Sequence, residues 1–156
     1  MKIKILAIGK LKEKYLLDGI EFYKKRISYY LPISIIEIPD IKNYSSLSIE
    51  EIKNKEAEKI KDFIRNSDYI IVLDEKGKEY SSIEFSKYLQ SLMNIGTREL
   101  LFIIGGSFGL SEKILEISDE VLSLSKMTFP HDLVRLIFIE QLYRALTIIK
   151  NEKYHH

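Results

Sequence analysis

The stretch Leu122–Ala145, LSLSKMTFPHDLVRLIFIEQLYRA, joins two halves of different character. From His131 onward apolar residues recur at three- and four-residue spacing, which predicts a plain amphipathic helix to about Lys150. Before it, LSLSKMTFPH follows neither the two-residue period of a strand nor a simple turn pattern. Pro130 suits a helix start, where its missing N–H would go unpaired in any case, and Thr128 is a candidate for the cap. Leu124, Met127 and Phe129 nevertheless put apolar groups into an irregular stretch that should be exposed. Apolar groups beside the free N–H donors of a helix start suit a flat, heterocyclic ligand with polar edges.

Upstream, the chain alternates strand and helix signals. KIKILAIG, from Lys2, turns wholly apolar and reads as a strand entering a buried sheet. Lys10–Tyr30 carries Leu16, Ile20, Tyr23 and Ile27 at helical spacing, with Pro32 as its stop. ISIIEI (Ile33–Ile38) is a second strand, and Asp40–Leu47, with Asn43, Ser45 and Ser46, a loop by composition. Ser48 with Glu51 resembles a capping box that opens a charged helix to about Asn66. YIIVLD (Tyr69–Asp74) is a third strand, ended by a turn around Gly77. Ser81 with Glu84 caps a helix to about Ile95, and ELLFII (Glu99–Ile104) is a fourth strand. A short helix over Lys113–Ser118 leads to EVLSLS, a fifth strand. The pattern predicts one α/β domain over residues 1–156, a mainly parallel sheet with helices on both faces.

In such sheets ligands bind where the loops at the carboxyl ends of the strands converge. Three of those loops are unusual. IGGSFGLS offers Gly105, Gly106 and Gly109 either as a tight turn with positive φ, Ser107 or Ser111 capping the next helix, or as a site where backbone N–H groups approach a ligand. It fits neither the Walker loop nor G-x-G-x-x-G, so a standard phosphate cradle is disfavoured. LDEKGKEYSS, taken alone, reads as a solvated turn. SLSKMTFPH is the third.

Composition narrows the function classes. Of 156 residues, 24 are Lys or Arg and 23 Asp or Glu, which argues against non-specific nucleic-acid binding while leaving a local patch open. The absence of cysteine excludes disulfides, thiolate zinc sites and thiol nucleophiles, and with only three histidines, two of them at the end of the chain, no metal site is expected. No apolar run approaches a membrane span, and no signal-peptide pattern precedes Lys2, so a cytoplasmic protein is expected.

Along the last helix Glu140, Arg144 and Thr147 share one polar side, with Glu140 placed to pair with Arg144. Arg135 lies among Phe138, Leu142, Leu146 and Ile149. It is either a core-edge arginine reaching for water or part of an interface with a second copy, pairing across it. Tyr154 and His155 sit at a terminus that would ordinarily fray, although a neutral histidine there can take or relay a proton.

Taken in order, ILAIGKLKEKY, the LDEKGK loop, IGGSFGL, LSLSKMTFPHDLVRLIFIEQLYRA and the terminal YH resemble the large-subunit ribosomal RNA methyltransferase H family over essentially the whole chain. The long motif from Leu124 to Ala145 is its most specific part; Asp132 departs from the glutamine usual there. The resemblance implies a SPOUT-type α/β knot, a C-terminal trefoil knot that no periodicity argument reaches, and a homodimer. It implies methyl transfer from S-adenosylmethionine, without a metal, to N3 of a pseudouridine in helix 69 of 23S ribosomal RNA on the assembled ribosome. The cofactor contacts it implies are Leu73, Gly105, Leu124, Ser125, Lys126, Met127, Thr128 and Phe129. Arg144, to stabilise charge on the base, and Tyr154 with His155, to handle the proton or grip the nucleotide, are the candidate catalytic groups. Lys10, Lys12, Lys14, Lys24, Lys25 and Arg26 are either a basic RNA-facing surface or an ordinary solvated helix face. A methyltransferase acting on transfer RNA, or a non-catalytic module for a nucleotide-like ligand, are the alternatives.

Overall fold

The computed structural model describes residues 1–41, 44–65 and 67–155; the expectations placed on Asn43, Asn66 and His156 fall outside these. The chain runs β1 (Lys2–Ile8), α1 (Lys14–Ile27), β2 (Ile33–Ile38), a 3-10 turn at Tyr44–Ser46, α2 (Ile49–Ile64), β3 (Tyr69–Glu79), α3 (Ser82–Asn94), β4 (Glu99–Ile104), α4 (Glu112–Glu116), β5 (Glu120–Ser123) and α5 (His131–Ile149). The five strands form one sheet in the order β2-β1-β4-β3-β5, every pairing parallel. β4, at the centre, is buried at all six positions, as a strand covered on both faces requires.

Side chains alternate along the strands into two cores. Ile3, Ile5, Leu100 and Phe102 point to the face covered by α1, α3 and α5, where Phe138 packs 4.7 Å from Phe102, centroid to centroid. Leu6, Ile8, Leu101 and Ile103 point to the other face, covered by Ala57 and Ile60 of α2 and Ile114 of α4. Each fully buried side chain of this size contributes about 1.5–3 kcal/mol. The expected capping boxes are both formed, Ser48 with Glu51 and Ser81 with Glu84.

Several local expectations are corrected. The helix expected from Lys10 begins at Lys14, because the turn of Gly9 (φ 90°) draws Leu11 into the core and directs its N–H to Glu37 Oε1, 3.1 Å away. β3 does not stop at Asp74 but continues to Glu79. Leu73 and Lys78 both pair with Leu122, so residues 74–77 bulge out of the sheet and the strand then resumes. Gly77 makes this possible: a Cβ there would stand 2.6 Å from Val121 O. α5 is not a plain amphipathic helix, since no residue from His131 to Ile149 is fully exposed. Thr147, expected on its polar side, is buried and donates to Arg144 O at 2.7 Å. Tyr154 is not loose at the end of the chain: Asn151, at φ 55°, turns the chain back and Tyr154 packs against Tyr143. Neither Thr128 nor Ser111 caps a helix by its side chain, and the Ser111 hydroxyl is buried without a partner among the described residues.

Arg135 is corrected as well. It is buried with both terminal guanidinium nitrogens bonded within its own chain, its Nε alone lacking a partner among the described residues, so it is a core residue and not one that reaches across an interface. Its guanidinium donates to the carbonyls of Ile8 and Gly9 and to Glu37 Oε1, and lies 3.6 Å from Asp132 Oδ1. Burial pushes its pKa down, and the carboxylates of Asp132, Glu37 and Asp40 oppose that shift. The arginine amid the apolar stripe thus plugs the carboxyl end of β1.

Candidate active site

Beside that plug, the carboxyl ends of β3, β4 and β5 surround a cavity of about 500 Å³, a volume within the ordinary range of small-molecule sites. Leu73, Gly105, Leu124, Ser125, Met127, Thr128 and Phe129 line it; Lys126 is exposed and outside the lining. The three loops singled out from the sequence therefore meet at one place.

The irregular segment after β5 is shaped by its serines. The Ser123 hydroxyl donates to Ser125 O (3.1 Å), and the Ser125 hydroxyl accepts from Met127 N–H (3.0 Å). This local turn puts Lys126 and Met127 at its outer apex, Met127 73% exposed, while Leu124 and Phe129 turn inward, half-buried. The glycine loop forms the opposite wall. Gly109 adopts φ 75°, and a Cβ on Gly105 would stand 3.0 Å from Gly109 C and 3.1 Å from Leu110 Cγ. A side chain there would crowd the loop, and with glycine in place the wall is bare backbone.

The bulge of β3 supplies the third side. Asp74 Oδ1 accepts from Lys76 N–H (3.0 Å), and Asp74 and Glu75 face the cavity. His131, at the start of α5, closes the rim; its Nε2 is 3.2 Å from Asp132 Oδ1 and its Nδ1 is 3.5 Å from the Ser107 hydroxyl. The amides of His131 and Asp132 precede the first intrahelical bonds, which Leu133 and Val134 make to Pro130 O. Sequence reasoning missed His131, Asp74, Glu75 and Lys53 as lining residues. Only His131, next to Pro130, carried a local signal.

The candidate catalytic groups stand elsewhere in the chain. Arg144 donates to Glu140 Oε1 (3.1 Å from Nε) and lies 4.8 Å over the Tyr154 ring, and the Tyr154 hydroxyl donates to Glu140 Oε1 (3.1 Å) beside Tyr23 (3.3 Å). Burial, then the hydrogen bonds to Tyr23 and Glu140, push the Tyr154 phenol well above its ordinary range, so it stays protonated at neutral pH. The bond to Glu140 raises the pKa of Arg144 further. His155 is half-buried and its Nδ1 has no partner among the described residues. Arg144 lies 13 residues beyond His131, about 20 Å along the helix at 1.5 Å per residue. One chain brings Arg144, Tyr154 and Glu140 together but does not bring them to the cavity. Among the described residues no three His, Asp or Glu side chains gather as metal ligands, and no helix is long and apolar enough to cross a membrane.

A parallel sheet with a glycine loop after its central strand and a second irregular segment beside it encloses a ligand-sized cavity at the carboxyl ends of the strands. The family model described as "Predicted SPOUT methyltransferase" matches residues 1–155. Ribosomal RNA large subunit methyltransferase H of Parabacteroides distasonis is 47% identical over 156 residues, 100% of this chain and 99% of that protein. The chain belongs to this large-subunit ribosomal RNA methyltransferase H family. Among solved structures, a methylase family protein from Haemophilus influenzae Rd KW20 shares the fold with a TM-score of 0.58 at 10% identity, over 99% of this chain and 70% of that one. A methyltransferase from Legionella pneumophila, solved with bound cofactor SAM, gives 0.50 at 12% identity, over 96% and 66%.

Proposed function

We propose that this protein is a cytoplasmic, single-domain SPOUT enzyme that methylates N3 of a pseudouridine in helix 69 of bacterial 23S ribosomal RNA on the assembled ribosome. S-adenosylmethionine is the donor, and a homodimer with a C-terminal trefoil knot is the working form. The observation that carries this reading is the cavity itself: three strand-end loops converge on a wall of bare backbone flanked by apolar Leu73, Leu124 and Phe129. A flat heterocycle with polar edges can lie against such a wall, reading N–H and C=O groups with its edges.

When bound, the donor supplies an electrophilic methyl group on a sulfonium. That group would be transferred to N3 with the thioether as the leaving group, and the N3 proton would have to be taken up by the protein or by water. The cavity walls contribute alignment, worth about 7–11 kcal/mol of barrier in favourable cases. Arg144, held by Glu140, presents a fixed cation to the base carbonyl on which negative charge develops. Tyr154, protonated and hydrogen-bonded, grips the nucleotide, and His155 takes the proton. Because Arg144 stands about 20 Å along the helix from the cavity rim, these groups act at the cavity of a second copy, which is why the dimer is needed. Half-buried Ile137 of α5, outside the core cluster, provides apolar surface for that contact.

Transfer of labelled methyl from S-adenosylmethionine to whole ribosomes, separated subunits and transfer RNA tests the substrate. Label in whole ribosomes, mapped to the pseudouridine, is expected. Label in transfer RNA alone would point to the related enzyme class, and no label with no donor binding would point to a ligand-binding module. Removal of Tyr154–His156 is expected to abolish transfer while leaving donor affinity unchanged.

A further inference from the structure

Lys53 lines the cavity, although it belongs to α2, the helix packed on the face of the sheet away from α5. Its place is fixed by its neighbour one turn on. Glu56 is buried beneath the glycine loop, where a Cβ on Gly106 would stand 3.4 Å from its Oε1. The Lys53 turn of α2 therefore lies under the same loop. Lys2 and Lys4 are paired with Glu99 and Lys59 donates to the Pro39 carbonyl, while Lys76, exposed on the β3 bulge, lines the same cavity. Lys53 is half-buried and makes no hydrogen bond or ion pair to a described residue. Its stem lies along the protein and its ammonium stands unpaired at the cavity wall, within reach of an anionic group of a bound ligand.

The cavity lining carries both signs of charge. Asp74, Glu75 and Lys76 stand on the β3 bulge, and Lys53, from α2, stands on the glycine-loop side. A ligand that satisfies both carries an ammonium and a carboxylate, as the amino-acid end of the methyl donor does. We propose that Lys53 binds the carboxylate of that amino-acid moiety, an inference that rests on the cofactor reading above. A phosphate of the RNA backbone offers the same oxyanion chemistry. Half-burial under the glycine loop favours the small ligand.

Calorimetric titration of the full-length protein with S-adenosylhomocysteine and with 5′-methylthioadenosine separates these sources, because the second lacks the amino-acid end. Lys53→Met, which keeps the apolar stem, is expected to weaken S-adenosylhomocysteine about tenfold, the loss of one charge-assisted bond, and to leave methylthioadenosine unchanged. Lys53→Arg is expected to restore most of the loss, and the melting temperature of both variants to match the parent. Equal weakening of both ligands, or none of either, overturns the inference, as does unchanged nucleoside affinity with weakened ribosome binding. If the parent protein binds S-adenosylhomocysteine and Lys53→Met binds it equally well, only Lys53 is misassigned; if the parent binds neither ligand, the cofactor reading falls and the inference with it.

Discussion

The two ends of the central strand differ in how the chain closes them. At the amino end of β4, Glu99 is buried between Lys4 Nζ (2.6 Å) and Lys2, and next to it Asp68 takes Arg98 Nη2 at 3.2 Å and the amides of Arg98 and Glu99. Burial alone would raise the Glu99 carboxyl, but the two ammonium groups outweigh it and hold it below its ordinary value. At the carboxyl end of the same strand Gly105 presents no side chain and the loop stands open. One end spends its polar groups on each other. The other presents a loop with little side-chain cover to whatever occupies the cavity. The carboxyl edge itself is divided, since β1 is plugged by Arg135 whereas β3, β4 and β5 are not.

Substitutions at the two ends should therefore have opposite signatures. The largest stability loss is expected for Arg135→Met, about 3–5 kcal/mol in urea unfolding, because Glu37 and Asp132 and the carbonyls of Ile8 and Gly9 would lose their shared partner. Gly105→Val should cost about 1–3 kcal/mol of stability through overpacking but reduce S-adenosylhomocysteine affinity by about a hundredfold or more, equivalent to about 2.7 kcal/mol. Unchanged affinity would mean that the glycine loop is only a turn. Glu99→Gln should cost about 1–2 kcal/mol at neutral pH, discounted for the exposure of Lys2, with donor affinity untouched. Its pH profile carries a sign: a carboxyl depressed in the fold stabilises above its ordinary 4.5 and loses that contribution as pH falls through the lower folded value. The variant's stability should accordingly fall less steeply than the parent's below that pH. Ser81→Ala, remote from both ends, should cost about 1 kcal/mol through its lost cap.

What could be read in advance follows the same division. Strand and helix identity came through because burial on two faces imposes apolar runs on β4, and capping boxes sit within four residues at Ser48 and Ser81. The cavity-forming loops were visible as stretches violating those periods, above all Ser123–His131. The bulge of β3 was not, because pairing Leu73 and Lys78 with one residue of β5 is a long-range event that Gly77 permits but does not announce. Arg135 was recognised as anomalous, yet its partners lie 126 and 127 residues away. Lys53 gave no signal at all within a helix rich in Lys and Glu, since only the fold brings that turn under the glycine loop.

The most direct test of a donor site at the open end is to follow the backbone amides by NMR while S-adenosylhomocysteine is added. Saturable shifts concentrated at Gly105–Gly109 and Leu124–Phe129, with Lys2–Lys4 and Arg98–Glu99 unmoved, are predicted. No saturable shift, or shifts centred on the ion-paired end of β4, would contradict the account.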